Sequence, residues 1–186
     1  MRPRPVVALV VLALLSGCGG DDDGAPPPAS TRAADEVAVP VTGFRFRATM
    51  PAGWSNVSDQ FADQLTTLDA AYADRAASGY KPNLLVTRER SQELKRRTVA
   101  EVEARDRRGA ERAGQEVGPA TTLRVDGVPA IRTSASQTQD GQRLVRQQVL
   151  ILRDGTLYVV GLTSTADDPD AEGQLDGVLA SWRWSS

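Results

Sequence analysis

The sequence predicts an α+β fold: a twisted antiparallel sheet whose C-terminal half is a four-stranded meander, closed by a final helix. Three observations predict it. Asp126-Gly127, Asp140-Gly141 and Asp154-Gly155 recur at intervals of 14 residues, and Asp-Gly tolerates the positive φ that a tight primed turn demands. The stretches between these pairs are rich in β-formers. Leu175, Val178, Leu179 and Trp182 then fall at i, i+3, i+4 and i+7, the apolar stripe of a helix laid on a sheet.

Ahead of the fold, Arg2 and Arg4 precede an unbroken apolar run from Val6 to Leu15. Ten apolar residues rise ~15 Å as a helix, about half the hydrocarbon core, which is an export signal rather than a membrane span. Leu15-Ser16-Gly17-Cys18 closes the run with the pattern of a bacterial lipobox, and Cys18 is the one cysteine of the chain. An ordinary secretory signal with an incidental cysteine is the alternative reading. The domain organisation that follows is a lipoprotein signal peptide over 1–17, a lipidated cysteine and tether over 18–36, and one domain over 37–186. Attachment would be through diacylglycerol and acyl chains on Cys18, at the extracytoplasmic face of the cell membrane; two or more chains anchor where one does not. With its only thiol acylated the chain would hold no disulfide. Gly19 to Glu36 has no aliphatic side chain larger than alanine. Such a composition does not offset ordering entropy, and as a coil it spans ~25 Å. Asp21-Asp22-Asp23 reads as a solvated spacer rather than a calcium site.

Within the domain, Phe44 to Met50 alternates apolar at 44, 46, 48 and 50 and predicts a half-buried strand. Pro51-Ala52-Gly53 turns the chain, and Trp54 re-enters the core. Ser58 to Ser78 is alanine-rich and predicts a helix. Lys81-Pro82-Asn83 is a breaker before a strand at Leu84 to Thr87. Thr98 caps a helix through about Ala113, which Gly114 stops. Thr121 to Val125, Val128 to Thr138, Arg143 to Arg153 and Thr156 to Thr165 are the meander strands. Asp168-Pro169 predicts an N-cap and first turn for the last helix. Gly173 and Gly177 each weaken that helix by ~1 kcal/mol, so packing must hold it.

The chain has no histidine. That removes Ser-His-Asp and Cys-His catalysis and histidine metal ligation. Nucleophile-elbow, Ser-x-x-Lys, P-loop and dinucleotide glycine patterns are absent too. No catalytic residue, metal or cofactor is expected, and the chain reads as non-enzymatic. Asp168 to Gly173 starts like a calcium loop, but Leu179 stands where the bidentate glutamate belongs. Loss of Arg2 and Arg4 would leave 20 basic against 24 acidic residues, a net charge of −4, with no general attraction for nucleic acid. Arginine heavily outnumbers lysine, as in GC-rich bacterial genomes. Arg88, Arg90, Lys95, Arg96 and Arg97 concentrate positive charge; a solvated loop competes there with a docking patch.

Phe44-x-Phe46 leading to Met50-Pro51-x-Gly53-Trp54, then Tyr80-Lys81-Pro82-Asn83, then Val125-Asp126-Gly127-Val128-Pro129-Ala130, resembles the actinobacterial LpqN/LpqT-type lipoproteins. The order of motifs is similar to the wider PsbP-like group and covers residues 40 to 184. The resemblance implies an α/β/α sandwich around the antiparallel sheet, and a non-enzymatic ligand-binding or accessory role in the envelope. The family offers no catalytic residues to carry over. A short strand often precedes its aromatic-Pro-Asn motif, where this chain has the alanine-rich segment. Trp54, Tyr72 and Tyr80, with Asn83 as a polar contact, are candidate walls of a cavity for an envelope lipid or glycan; the same aromatics would equally serve as core. The alternatives are a protein-docking module assisting a membrane protein and, third, an envelope hydrolase.

Overall fold

The computed structural model describes residues 39–61, 63 and 65–185; the leader, the lipobox Leu15 to Cys18 and the tether lie outside them. The strands are β1 (Val39–Gly43), β2 (Phe46–Met50), β3 (Trp54–Asn56), β4 (Leu68–Asp74), β5 (Asn83–Arg90), β6 (Glu116–Val117), β7 (Thr121–Val125), β8 (Val128–Gln139), β9 (Gln142–Arg153), β10 (Thr156–Thr165) and β11 (Arg183–Trp184). The helices are α1 (Val99–Arg112) and α2 (Ala171–Ser181). A small sheet runs β1-β2-β11, and a large one runs β3-β4-β5-β10-β9-β8-β6 with β7 also paired to β8. Every pairing is antiparallel.

The meander forms as the Asp-Gly spacing predicts. Asp126, Asp140 and Asp154 have φ of 46°, 51° and 51°, and the glycine after each is also positive. Both central residues of each turn are therefore left-handed, the geometry that matches strand twist. Alternation along the strands then divides the large sheet into two faces. Leu84, Val86, Val149, Ile151, Tyr158, Val160 and Leu162 face a main core shared with α2 and the small sheet. Leu150 and Leu157 face the other way, against Leu94 in a 3₁₀ turn ahead of α1 and Val102 in the first turn of α1. The layers are α2 with the small sheet, the large sheet, and α1, an α+β sandwich as expected.

Each helix follows its local chemistry. Thr98 and Glu101 close a capping box on α1; the Thr98 backbone and hydroxyl donors hold the Glu101 carboxyl below its usual range. Beyond Val102 the sheet-facing side of α1 is polar. Asp106 accepts from Gln148, and Arg107 bridges Glu103 and the Gly118 carbonyl. In α2, Leu175, Val178 and Leu179 are buried and Trp182 follows as the C-cap, as the stripe predicts. Its N-cap is Asp170, however, two residues later than Asp168-Pro169 suggests. Asp168 accepts instead from the Asp170 amide in the preceding turn.

Two other expectations are corrected. The strand predicted from Phe44 starts at Phe46, because Phe44 and Arg45 form the loop of a β1–β2 hairpin. The helix predicted over Ser58 to Ser78 is a 3₁₀ turn at Ser58–Gln60 and then β4. Ala70, Ala71, Tyr72 and Ala73 are all buried, since β4 lies between β3 and β5 with both faces covered. Two covered faces erase alternation, and small side chains suit the tight space under Val57 and Phe61.

Candidate functional site

One end of the sandwich gathers the hairpin loop at Phe44-Arg45, the C-terminal end of β5, the start of β4, the β9–β10 turn and β11. The core reaches this end through four aromatic rings. Phe46 stacks on Trp182 at 4.0 Å with 10° between planes. Trp182 meets the edge of Trp184 at 5.4 Å, and Trp184 tilts against Tyr158 at 5.0 Å. Such pairs contribute about 0.5–1.5 kcal/mol each beyond area burial. Trp184 is pinned from outside: its indole Nε1 donates to the Val125 carbonyl and its backbone N–H to Asp126 Oδ2. The first Asp-Gly turn thus fixes the last strand. A Cβ at Gly43 would run into the Phe46 ring, so glycine lets the hairpin loop sit tightly on this aromatic group.

Three arginines rim this end. Arg88 lies over the Phe44 ring at 4.4 Å, Arg45 lies at 5.4 Å from the same ring, and Arg153 lies over Trp184 at 4.9 Å. Stacking on an aromatic face leaves the guanidinium's N–H edge free to meet an acceptor. Arg88 spends one nitrogen on Asp69, 2.9 Å from Oδ1. Arg153 has Asp154 at 3.6 Å from Nε, on the turn beside it, while its Nη1 is buried without a hydrogen-bond partner among the described residues. Arg45 makes no ion pair with any described residue and has a φ of 57°, uncommon for a residue other than glycine, asparagine or aspartate.

Asp69 sits behind the arginines because β4 shifts register between Leu68 and Ala70. A bulge re-aims a side chain, and here it delivers a carboxylate whose side chain is only 6% exposed. Burial raises the Asp69 pKa above its ordinary value, against the opposing pull of Arg88 and the Phe44 amide. Its Oδ2 has no partner among the described residues. Tyr158, 1% exposed, forms the floor. Burial and then the Asp69 charge push its phenol up, while Arg153, Arg45 and Arg88 pull it down. Tyr158 thus stands opposite Arg88 across the β5–β10 pairing and packs on the Trp184 that Arg153 covers, and two polar atoms of the group, Arg153 Nη1 and Asp69 Oδ2, lack partners among the described residues. Perturbed, under-satisfied groups clustered at a mouth mark functional sites more often than chance.

The residues singled out from sequence lie elsewhere. Trp54 and Tyr72 are 3% and 6% exposed within the main core. Asn83 is half-buried and donates to the Tyr80 hydroxyl at 3.2 Å. Asn83 pairs with Ala73, next to Tyr72 along β4, so its side chain belongs to the opposite face of the sheet. All four lie toward the other end of the sheet from Tyr158. The basic run is divided: Arg88 turns into the mouth, Arg97 pairs with Glu93 and Glu101, and Arg90, Lys95 and Arg96 remain exposed. A cavity of about 90 Å³ lies along α1 between Arg97, Glu101, Val102, Arg105 and Arg108, well below the ~300 Å³ where ligand pockets begin. Among the described residues no group of acidic or cysteine side chains is placed to hold a metal, and no helix is long and apolar enough to cross a membrane.

No family model and no curated protein matches the sequence. Solved structures do match its fold. A protein of Bacteroides thetaiotaomicron is similar over 76% of this chain, with a TM-score of 0.53 and 6% identity; the chain spans 46% of that protein's length. PA94 of Pseudomonas aeruginosa, described as a protein of unknown function, is similar over 73% of this chain and 89% of its own, with a TM-score of 0.50 and 20% identity. LpqN of Mycobacterium tuberculosis, described as involved in cell envelope biogenesis, covers 82% of this chain and 92% of its own at a TM-score of 0.48 and 12% identity. At these identities the likenesses of the first two bear on the fold alone, and the third adds no weight to the resemblance read in the sequence.

Proposed function

We propose that the chain is a lipid-anchored protein of the cell envelope whose domain binds an anionic envelope component at the arginine-rimmed mouth, without catalysing a reaction on it. The anchor half of this reading rests on Leu15 to Cys18. The binding half is carried by one observation: Arg153 Nη1 is a buried donor without a partner among the described residues, on a guanidinium laid over Trp184, which itself packs on Tyr158. An unmet buried donor such as Arg153 Nη1 costs about 1–3 kcal/mol, and a ligand that accepts from it recovers that loss, whereas Asp69 Oδ2 is an acceptor that an anionic ligand does not satisfy. Paired-carboxylate hydrolysis needs two facing acids. Among the described residues Asp69 pairs with Arg88 and Asp154 with Arg153, and neither carboxylate is in contact with the other. The competing reading, docking to a membrane protein, draws on the exposed Arg90, Lys95 and Arg96 and on Arg105 and Arg108, which make no ion pair with any described residue.

Native mass spectrometry of full-length protein solubilised from its own membrane tests both halves. The expected spectrum carries acyl mass on Cys18 and a retained small anionic component, and Cys18→Ala abolishes the first. Protein with acyl mass but no retained component, in complex with a membrane protein, would replace ligand binding by docking. Protein with no acyl mass would remove the anchor.

A further inference from the structure

We infer that the group taken by the mouth is a phosphoryl group, as a phosphomonoester or a pyrophosphate. This rests on the reading that the mouth binds an anionic envelope component. Arg45, Arg88 and Arg153 come from three separate elements: Arg88 stands directly opposite Tyr158 across the β5–β10 pairing, Arg153 lies over Trp184, which tilts against Tyr158, and Arg45 meets the same Phe44 ring as Arg88. A planar carboxylate offers two oxygens in one plane and is satisfied by a single bidentate guanidinium. Three guanidiniums converging from separate directions instead suit a tetrahedral anion with three or four acceptor oxygens and up to two charges. Two of the three are already oriented by aromatic stacking, Arg88 on Phe44 and Arg153 on Trp184, which lowers the ordering cost of binding.

Arg45 supplies a separate argument. Its φ of 57° favours glycine or asparagine, and it makes no ion pair with a described residue. Its ring contact is with Phe44 at 5.4 Å, a face that Arg88 already covers at 4.4 Å, so neither local backbone energetics nor that contact accounts for an arginine there. A ligand facing Tyr158 does. Tyr158 adds a hydroxyl donor at the floor of the same site, and Asp69 fixes the Arg88 guanidinium by its 2.9 Å contact.

The test is calorimetric titration of the full-length protein in detergent micelles with pyrophosphate, malonate and dihexanoyl phosphatidic acid. Pyrophosphate or the phosphatidic acid should bind, and malonate should bind at least about tenfold more weakly. Arg153→Gln and Arg45→Gly should each weaken phosphoryl binding by about tenfold or more, the loss of one charge-assisted contact. Arg45→Gly relieves the left-handed backbone, so its melting midpoint should stay level or rise while binding falls; this separates a ligand contact from a folding defect. Arg112→Gln, on α1, should change nothing. Tighter binding of phosphatidic acid with the same arginine dependence assigns the group to a lipid headgroup; equal or tighter binding of pyrophosphate assigns it to a free phosphoryl compound. Malonate binding as tightly as the phosphoryl probes, or affinities untouched by Arg153→Gln and Arg45→Gly, would overturn the inference. Failure of both phosphoryl probes, with a phosphorus-free anionic component still retained on native mass spectrometry, would overturn it and leave the binding reading in place.

Discussion

Alanine substituted at Gly141 and at Gly155 separates backbone strain from crowding in the meander. Both glycines are left-handed, with φ of 76° and 71°. An L-residue there costs about 1–2 kcal/mol, partly offset by ~0.4–1 kcal/mol from a stiffer unfolded chain. Gly141 has open space where a Cβ would stand. Gly141→Ala should therefore cost about 1 kcal/mol, or ~3 °C for a domain of this size. At Gly155 the new Cβ would overlap Lys95 Cγ, with Lys95 Cα and Cβ at 3.5 Å. Lys95 belongs to the 3₁₀ turn Leu94–Arg96, whose Leu94 is buried, so it yields only by leaving its rotamer, at about another 1 kcal/mol. Gly155→Ala should thus lower the midpoint about twice as far as Gly141→Ala. Lys95→Ala removes Cγ and keeps only ordinary contacts. In that background the cost of Gly155→Ala should fall to that of Gly141→Ala. Thermal unfolding followed by near-ultraviolet circular dichroism reads the wild type and the four variants. Equal costs at the two sites, or a Gly155 cost that Lys95→Ala does not relieve, would refute the reasoning.

Two further outcomes are expected. The raised Asp69 pKa means the folded state holds that proton more tightly than the unfolded chain; its stabilising contribution is full below the ordinary value of 3.8 and is lost as pH rises through the folded value. The groups facing it are Arg88, Tyr158 and the Phe44 amide, with Arg45 and Arg153 beyond. Wild type should therefore be more stable relative to Asp69→Asn at about pH 4 than at about pH 7 in paired urea titrations; the opposite slope contradicts the burial of this carboxylate. Trp182 is 0% exposed and stacked on Phe46, so Trp182→Ala should cost about 3–5 kcal/mol and broaden or abolish the cooperative transition. A loss below about 1 kcal/mol would deny the aromatic group its place at the centre of the core.

What the sequence disclosed, and what it hid, follows from the range of each signal. The Asp-Gly turns, the Thr98 cap with its Gly114 stop, and the Leu175 to Trp182 stripe are each written within a few residues, and all are present in the fold. β4 was hidden because both its faces are covered and alanine carries a strong helix propensity, which burial between strands overrides. The resemblance, which expects a strand before Tyr80-Lys81-Pro82-Asn83, pointed the right way there. The mouth was the least legible part. Arg45, Asp69, Arg88, Arg153, Tyr158 and Trp184 come from six places in the chain, and their meeting depends on a hairpin loop and a bulge. Asp69 in particular lies in the alanine-rich segment whose composition favours helix. Of these six, only Arg88 stands out in the sequence, as one of a run of basic residues.

The chain's three tryptophans provide the most direct test of the central claim. Trp184 borders the mouth and Trp182 touches it, whereas Trp54 lies in the core beside β4 at the other end. In a two-dimensional ¹H–¹⁵N spectrum each indole gives one signal. On titration with an anionic fraction of envelope extract, the account predicts that the Trp184 signal moves most, Trp182 follows and Trp54 stays. Movement of Trp54 with Trp184 unchanged would place the ligand at the Trp54–Tyr72–Tyr80 end and contradict the account.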